Sequence, residues 1–191
     1  MILSLTEDYR RIRRLRHEDV ARLMAWDNDP DLFELTGKKF QCGEDYGNWW
    51  RELVHDRARI MFGIVNDGGT LIGDVELLQI VWRTREAEIR ISIGDKACWN
   101  RGYGTQALTE ALAVAFHFLS LERLYLRVRV DNRRAIRSYE KVGFRLVARL
   151  AATGRLRGYT DLNLMEVTRP DFLARVPSGV HQVCPGESFS L

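Results

Sequence analysis

The chain has 191 residues, 46% of them hydrophobic and 29% charged, the proportions of a globular protein with material for one substantial core. Twenty-nine Lys and Arg against 26 Asp and Glu give a net charge of +3, which suits an anionic ligand but is too mild to argue for nucleic acid. Cys42, Cys98 and Cys184 lie far apart without a C-x-x-C pair, which speaks against a zinc site or a disulfide framework and for reduced thiols.

The N-terminal stretch, Glu7 and Asp8 followed by Arg10 to Arg16, lacks a signal-peptide apolar segment. No apolar run is long enough to cross a bilayer, so a cytoplasmic protein with no membrane partner is expected. Residues 10–16 read as a short basic strand. His17 to Asn28 reads as a helix with Val20, Leu23 and Met24 on one face, ended by Asp27-Asn28-Asp29-Pro30. A second helix is expected over roughly Asp45 to Val54. Arg59 to Val65 and Thr70 to Val81 read as strands joined by the turn Asn66-Asp67-Gly68-Gly69.

Ala87 to Gly94 alternates, with Ile89, Ile91 and Ile93 on one side and Glu88, Arg90 and Ser92 on the other. A loop, Asp95 to Arg101, leads to glycines and then to a helix whose stripe is Leu108, Ala111, Leu112, Ala115, Phe116 and Leu119. Arg123 to Val130 is another strand. Asn132 can cap a short helix that runs to Val142 and stops at Gly143. Phe144 to Ala152 and about Tyr159 to Val167 form a last pair of strands around Thr153-Gly154. From Pro170 the sequence loses its period, so a domain over residues 1–169 and a loose tail over 170–191 are expected.

The most informative segment is Asn100-Arg101-Gly102-Tyr103-Gly104-Thr105, between a strand and a helix. Glycines let a backbone approach a ligand closely, and a helix opening there points unpaired N–H groups at it, an arrangement suited to phosphate. Gly102 to Ala107 formally matches the dinucleotide fingerprint G-x-G-x-x-A. The strands ahead of it read as antiparallel hairpins, however, and seven residues separate Gly94 from Gly102. A nucleotide P-loop is absent, because no Gly-Lys-Ser/Thr follows. A plain helix start is the remaining reading of the glycines alone.

A second segment decides among these: Asn132, Ala135, Tyr139, Gly143 and Phe144 complete the pattern N-x-x-A-x-x-x-Y-x-x-x-G-F. Together with Gly102 and Gly104 in a Q/R-x-x-G-x-G/A loop, it resembles the GNAT superfamily of acyl-CoA-dependent N-acyltransferases. The likeness covers about residues 10–168 and is to the branch that acetylates ribosomal-protein N-termini and polyamines. Gly73 to Arg90 is similar to spermidine N-acetyltransferases. Trp99 departs from the pattern, standing where Gln or Arg is usual.

The resemblance implies an α/β fold, a mixed and mostly antiparallel sheet with helices on both faces, split by a V-shaped gap. It implies acetyl-CoA as acyl donor, its diphosphate on the amides of Gly102, Tyr103, Gly104 and Thr105 with help from Arg101. Ile91, Ser92 and Ile93 would pair with the pantetheine arm, and Asn132 would bond the coenzyme as well as cap its helix. Tyr139 would donate a proton to the departing sulfur. An amine resembling lysine, of pKa about 10.4, arrives protonated, so a base is needed. Glu88 is the first candidate, with Asp74 and Glu76 next; each reads equally well as a solvated strand residue or an ion-pair partner, Glu88 with a nearby Arg. No metal is required, and Cys98 has no adjacent base that would make it a nucleophile.

The acceptor is expected to be a small-molecule or peptide amine. Asp27, Asp29, Asp31 and Glu34 offer an acidic rim to attract it, or a solvated loop, and Trp26, Phe33, Trp49, Trp50 and Trp82 could line a pocket or fill core. Exposed strand edges toward the C-terminal end would admit a homodimer. The alternative in another class is a non-catalytic sensor that binds acyl-CoA or a nucleotide.

Overall fold

The structure is a computed structural model that describes residues 9–36, 46–151 and 161–175. A seven-stranded sheet forms its centre, in the order β1-β2-β3-β4-β5-β7-β6. The strands are β1 (Ile12–Arg14), β2 (Ile60–Val65), β3 (Leu71–Val81), β4 (Glu86–Ile93), β5 (Arg123–Arg129), β6 (Arg145–Leu150) and β7 (Leu162–Thr168). Every neighbouring pair is antiparallel except β4 and β5, which are parallel. The helices are α1 (Val20–Asp27), α2 (Pro30–Thr36), α3 (Tyr46–His55), α4 (Tyr103–Ala113), α5 (Arg133–Val142) and α6 (Arg169–Leu173). This is the mixed, mostly antiparallel α/β arrangement expected.

Alternation along the strands divides the apolar residues between two sides. Phe62, Val75, Leu77 and Ile89 join Leu108, Ala111 and Leu112 of α4 and Ile136 of α5 in the main core. Met61 and Leu71 instead meet Leu23 of α1, with Trp26, Trp49 and Leu53 packed around them. Helices therefore cover both faces of the sheet. Trp26 and Trp49 are part of this packing, whereas Trp82 lies on the surface with its indole N–H donating to the Arg57 carbonyl at 2.9 Å.

Two helices escaped the sequence reading. Pro30 was read as the end of a helix, but it opens α2, where a missing N–H costs nothing. Asp29 caps it, accepting from the N–H groups of Asp31 and Leu32 at 2.9 and 3.2 Å. At the other end, the expected loose tail begins with α6. Thr168 caps this helix, and buried Phe172 packs on Phe116 with ring centroids 5.4 Å apart. Five residues are too few to carry a helical period. The ordered domain thus runs past residue 169, and the remainder of the tail from 176 lies outside the described residues. Cys42, Cys184 and the Thr153-Gly154 turn lie outside them too.

The N-terminal strand is held where it can brace the glycine loop. Glu110 of α4 accepts from the backbone N–H groups of Arg10, Arg11 and Ile12 at 3.2, 2.9 and 3.0 Å. Arg11 bonds Gln106 and Asp67, each at 2.5 Å, and the Tyr103 hydroxyl donates to Asp67 at 2.9 Å. The β2–β3 turn, β1 and the start of α4 are thereby tied into one unit. No described helix is long and apolar enough to cross a membrane.

Candidate active site

Strands β4 and β5 pair over only three positions, Glu86↔Arg123, Ala87↔Leu124 and Glu88↔Tyr125. Beyond them β4 continues to Ile93 and β5 to Arg129, so the two diverge. From Ile89 onward the side of β4 turned toward β5 has no strand partner. Unpaired main-chain donors and acceptors in such a gap hold a ready position for an amide-bearing ligand. A cavity of about 510 Å³ occupies the gap. Its walls are β4 from Ile89 to Ile93, the start of α4, α5 from Arg133 to Lys141, and Leu32, Leu35 and Thr36 of α2.

The start of α4 is built to leave its donors open. Gly102 is the N-cap with φ +84°, a left-handed conformation that a side chain would strain, and no side chain caps the helix. The N–H groups of Tyr103, Gly104 and Thr105 therefore point out of the first turn, with the positive end of the helix dipole behind them. At Gly104 a Cβ would meet only Ile93, at an ordinary 3.6 Å, so the protein's own packing does not demand a glycine there. A ligand approaching the helix end would.

Helix α5 forms the facing wall. Asn132 caps it, its side chain accepting from the Ala135 N–H at 3.2 Å, and Gly143 ends it with φ +109°. Ile136, Tyr139 and Val142 make its buried stripe. The Tyr139 ring meets Phe144 edge-on, with centroids 5.8 Å apart. Burial pushes the Tyr139 phenol up to about 12, so it stays protonated at neutral pH. Tyr139 lines the cavity, and its hydroxyl makes no hydrogen bond to a described residue.

Charge is unevenly distributed over these walls. Among the described residues, Arg133, Arg134, Arg137 and Lys141 line the cavity without an ion pair. Arg90 and Arg127 line it too, but both bind Glu88: Arg90 Nε lies 3.2 Å from Oε1, and Arg127 bonds Oε2. The described lining residues include no carboxylate. Arg134 lies over the Trp99 ring, its guanidinium carbon 3.9 Å from the centroid. Trp99 is itself fixed, its indole N–H donating to the Ile93 carbonyl at 2.7 Å. Partial burial pulls the Arg134 pKa below its usual value. Cys98, also on the wall, is buried, and desolvation raises its pKa, which keeps it a thiol. No group of three or more His, Cys, Asp or Glu placed to hold a metal occurs among the described residues.

A cleft with an open strand edge, an uncapped helix start and surplus cations fits a long ligand with amides at one end and phosphates at the other. The Acetyltransferase (GNAT) domain family matches residues 10–145. The chain belongs to that family. It is an acetyl-CoA-dependent N-acetyltransferase, transferring the acetyl group to an amine. The spermidine N(1)-acetyltransferase of Vibrio cholerae serotype O1 is 32% identical over 169 residues, which span 86% of this chain and 95% of that one. An L-amino acid N-acetyltransferase of Escherichia coli K12 is 26% identical over 143 residues, 74% of this chain and 79% of that protein. The solved Vibrio cholerae spermidine N-acetyltransferase in complex with CoA and spermine has a TM-score of 0.78 at 26% identity, covering 85% of this chain and 96% of that one. Nothing in these likenesses supports a non-catalytic sensor.

The acetyltransferase brings most of the residues singled out in its sequence to one place. Ile91, Ser92, Ile93, Gly102, Tyr103, Gly104, Thr105, Asn132 and Tyr139 all line the cavity. Arg101 does not: it is exposed and off the wall. Glu88 is also absent from the wall, only 1% exposed, with each carboxylate oxygen taken by a guanidinium. Asp74 and Glu76 are equally buried, and Glu76 is bonded to Arg59. The acidic rim is compensated as well. Lys96 reaches Asp29 at 2.9 Å and Asp31 at 2.6 Å, and Arg129 stands 4.0 Å from Glu34. None of the five aromatic residues considered for a pocket is on this wall. Arg134 is not among the site residues the sequence suggests, although the density of arginine between residues 127 and 137 is a visible signal.

Proposed function

We propose that the acetyltransferase acetylates a primary amine of a polyamine or similar small aliphatic amine, by direct attack within a ternary complex. The gap between β4 and β5, with Tyr139 in its wall, carries the chemistry. The acceptor class rests on the likeness to spermidine acetyltransferases over most of the chain. The open edge of β4 at Ile91, Ser92 and Ile93 would hold the pantetheine amides, apart from the Ile93 carbonyl that already accepts from Trp99, and the amides of Gly102 to Thr105 the diphosphate. Asn132 accepts from Ala135 through its side-chain oxygen, which leaves its amide N–H₂ for the coenzyme.

In the transfer, the amine nitrogen attacks the thioester carbonyl, a C–N bond forms, and the C–S bond breaks. The Tyr139 hydroxyl donates a hydrogen bond to the sulfur as negative charge gathers there. A thiol of ordinary pKa about 8.5 leaves as thiolate without a complete proton transfer at that moment. Glu88 would have to give up a bond to Arg90 or Arg127 before accepting a proton. We therefore assign it the positioning of those two side chains: the ammonium gives one proton to water before attack, and the second, released from nitrogen as the amide forms, passes through water to the thiolate.

One observation favours a second acceptor class. Arg90 and Arg127 face the cavity, no described lining residue is a carboxylate, and Asp29 and Asp31 are held by Lys96. An amine that also carries a carboxylate, as an amino acid does, finds complementary charge there. The deciding experiment follows thiol release from acetyl-CoA with spermidine, spermine, amino acids and peptide N-termini. The polyamine reading expects the highest kcat/KM for spermidine or spermine. A reversed ranking selects the carboxylate-bearing amines, and silence with every amine overturns both. Self-association through β6 belongs to the same proposal: among the described residues the strand ends the sheet, and Leu146, Val147 and Leu150 are exposed on it.

A further inference from the structure

In this chain a tryptophan occupies the loop position where a phosphate-binding Gln or Arg would stand, and the expected replacement, Arg101, is exposed and not among the residues of the cavity wall. Arg134, from the first turn of α5, crosses to the loop and lies on the Trp99 ring at 3.9 Å. Its guanidinium makes no hydrogen bond or ion pair with a described residue, whereas Arg11, Arg13, Arg59, Arg123 and Arg127 all bind carboxylates. A stacked guanidinium keeps its edge N–H groups free, in a plane fixed by the ring, which matches the two-oxygen edge of a phosphate. Trp99 can serve as that platform because its own N–H is spent on the Ile93 carbonyl at 2.7 Å, locking the ring beside the end of β4.

We propose that Arg134, oriented by Trp99, is a ligand of the coenzyme's diphosphate, supplied from α5 in place of the loop side chain that Trp99 displaced. The inference rests on the coenzyme site described above but not on the identity of the acceptor. It also links the two walls of the cavity: a diphosphate bound by the α4 amides and by Arg134 draws the loop and α5 onto one ligand. Tyr139 lies on that same helix.

The test measures binding by calorimetry, so that it stands apart from turnover. CoA, dephospho-CoA (which lacks the 3′-phosphate but keeps the diphosphate) and pantetheine (which lacks both) are titrated into the wild type, Arg134→Gln, Arg134→Lys and Trp99→Leu. Loss of a charge-assisted pair predicts about tenfold weaker binding of CoA and dephospho-CoA by Arg134→Gln, with pantetheine unchanged. Arg134→Lys keeps the charge but not the stack and should fall between. Trp99→Leu should reproduce the Gln variant's pattern. A loss seen with CoA alone would move the contact to the 3′-phosphate and overturn the assignment, as would equal losses on all three ligands or none on any. Wild-type binding of CoA without acetyl transfer to any amine would refute the proposed function and leave this inference standing.

Discussion

At the scale of single residues, the account turns on what Tyr139 and Glu88 do. Tyr139 is buried, protonated up to about 12, and turned to the cavity. Removing a group that acts on developing charge lowers kcat without weakening the ground-state complex. Tyr139→Phe is therefore expected to lose about 10²-fold in kcat, with the dissociation constant for acetyl-CoA nearly unchanged. Steady-state rates and calorimetry on one preparation check this, and an unaltered kcat would remove the tyrosine from the reaction. Glu88 sits between two guanidiniums. If it only positions them, Glu88→Gln should lower kcat by about tenfold yet keep the acidic limb of the kcat/KM profile against pH. Disappearance of that limb would restore Glu88 as the base. The sequence placed Glu88 correctly on the face opposite the isoleucines. It could not show that Arg90, two positions along the same strand, and Arg127, on a neighbouring strand, would close over it, because that pairing exists only once β4 and β5 are side by side.

At the scale of elements, the proposal gives most of the coenzyme recognition to the loop between β4 and α4 and the first turn of α5. Gly102 and Gly104 contribute differently, and substitution separates them. Gly102 is left-handed, so Gly102→Ala costs about 1–2 kcal/mol and should lower Tm by roughly 2–8 °C in a chain of this size. Gly104 is helical with room for a methyl in the free protein, so Gly104→Ala should keep its Tm while binding CoA more weakly. Equal melting temperatures for the two variants would contradict the backbone argument. Elements with a long clean period, such as β4, α4 and β5, were legible because each buries one face. The helices α2 and α6 were not. Pro30 and Pro170 look like breaks until a cap, from Asp29 or Thr168, makes them helix starts. The anchoring of β1 by Glu110 was equally invisible, since it joins residues about a hundred positions apart.

At the scale of the molecule, the sheet has one parallel seam, and the cavity lies where that seam comes apart. Two motifs thirty residues apart in sequence line one cavity there, which is why the family and a candidate coenzyme site were legible while the acceptor was not. The acidic residues considered for the acceptor are paired with cations from other elements, Asp29 and Asp31 with Lys96 and Glu34 with Arg129. Among the described residues the same sheet ends at β6, on which Leu146, Val147 and Leu150 are exposed. Sedimentation velocity is expected to show concentration-dependent association that Val147→Lys abolishes; a monomer at every concentration would end the proposal of a homodimer. Amide hydrogen exchange with and without CoA bears most directly on the central claim that the coenzyme occupies the opening between β4 and β5. Slowed exchange concentrated at residues 89–93 and 103–105 is the predicted outcome. Protection confined to other segments, or none at saturating CoA, would contradict it.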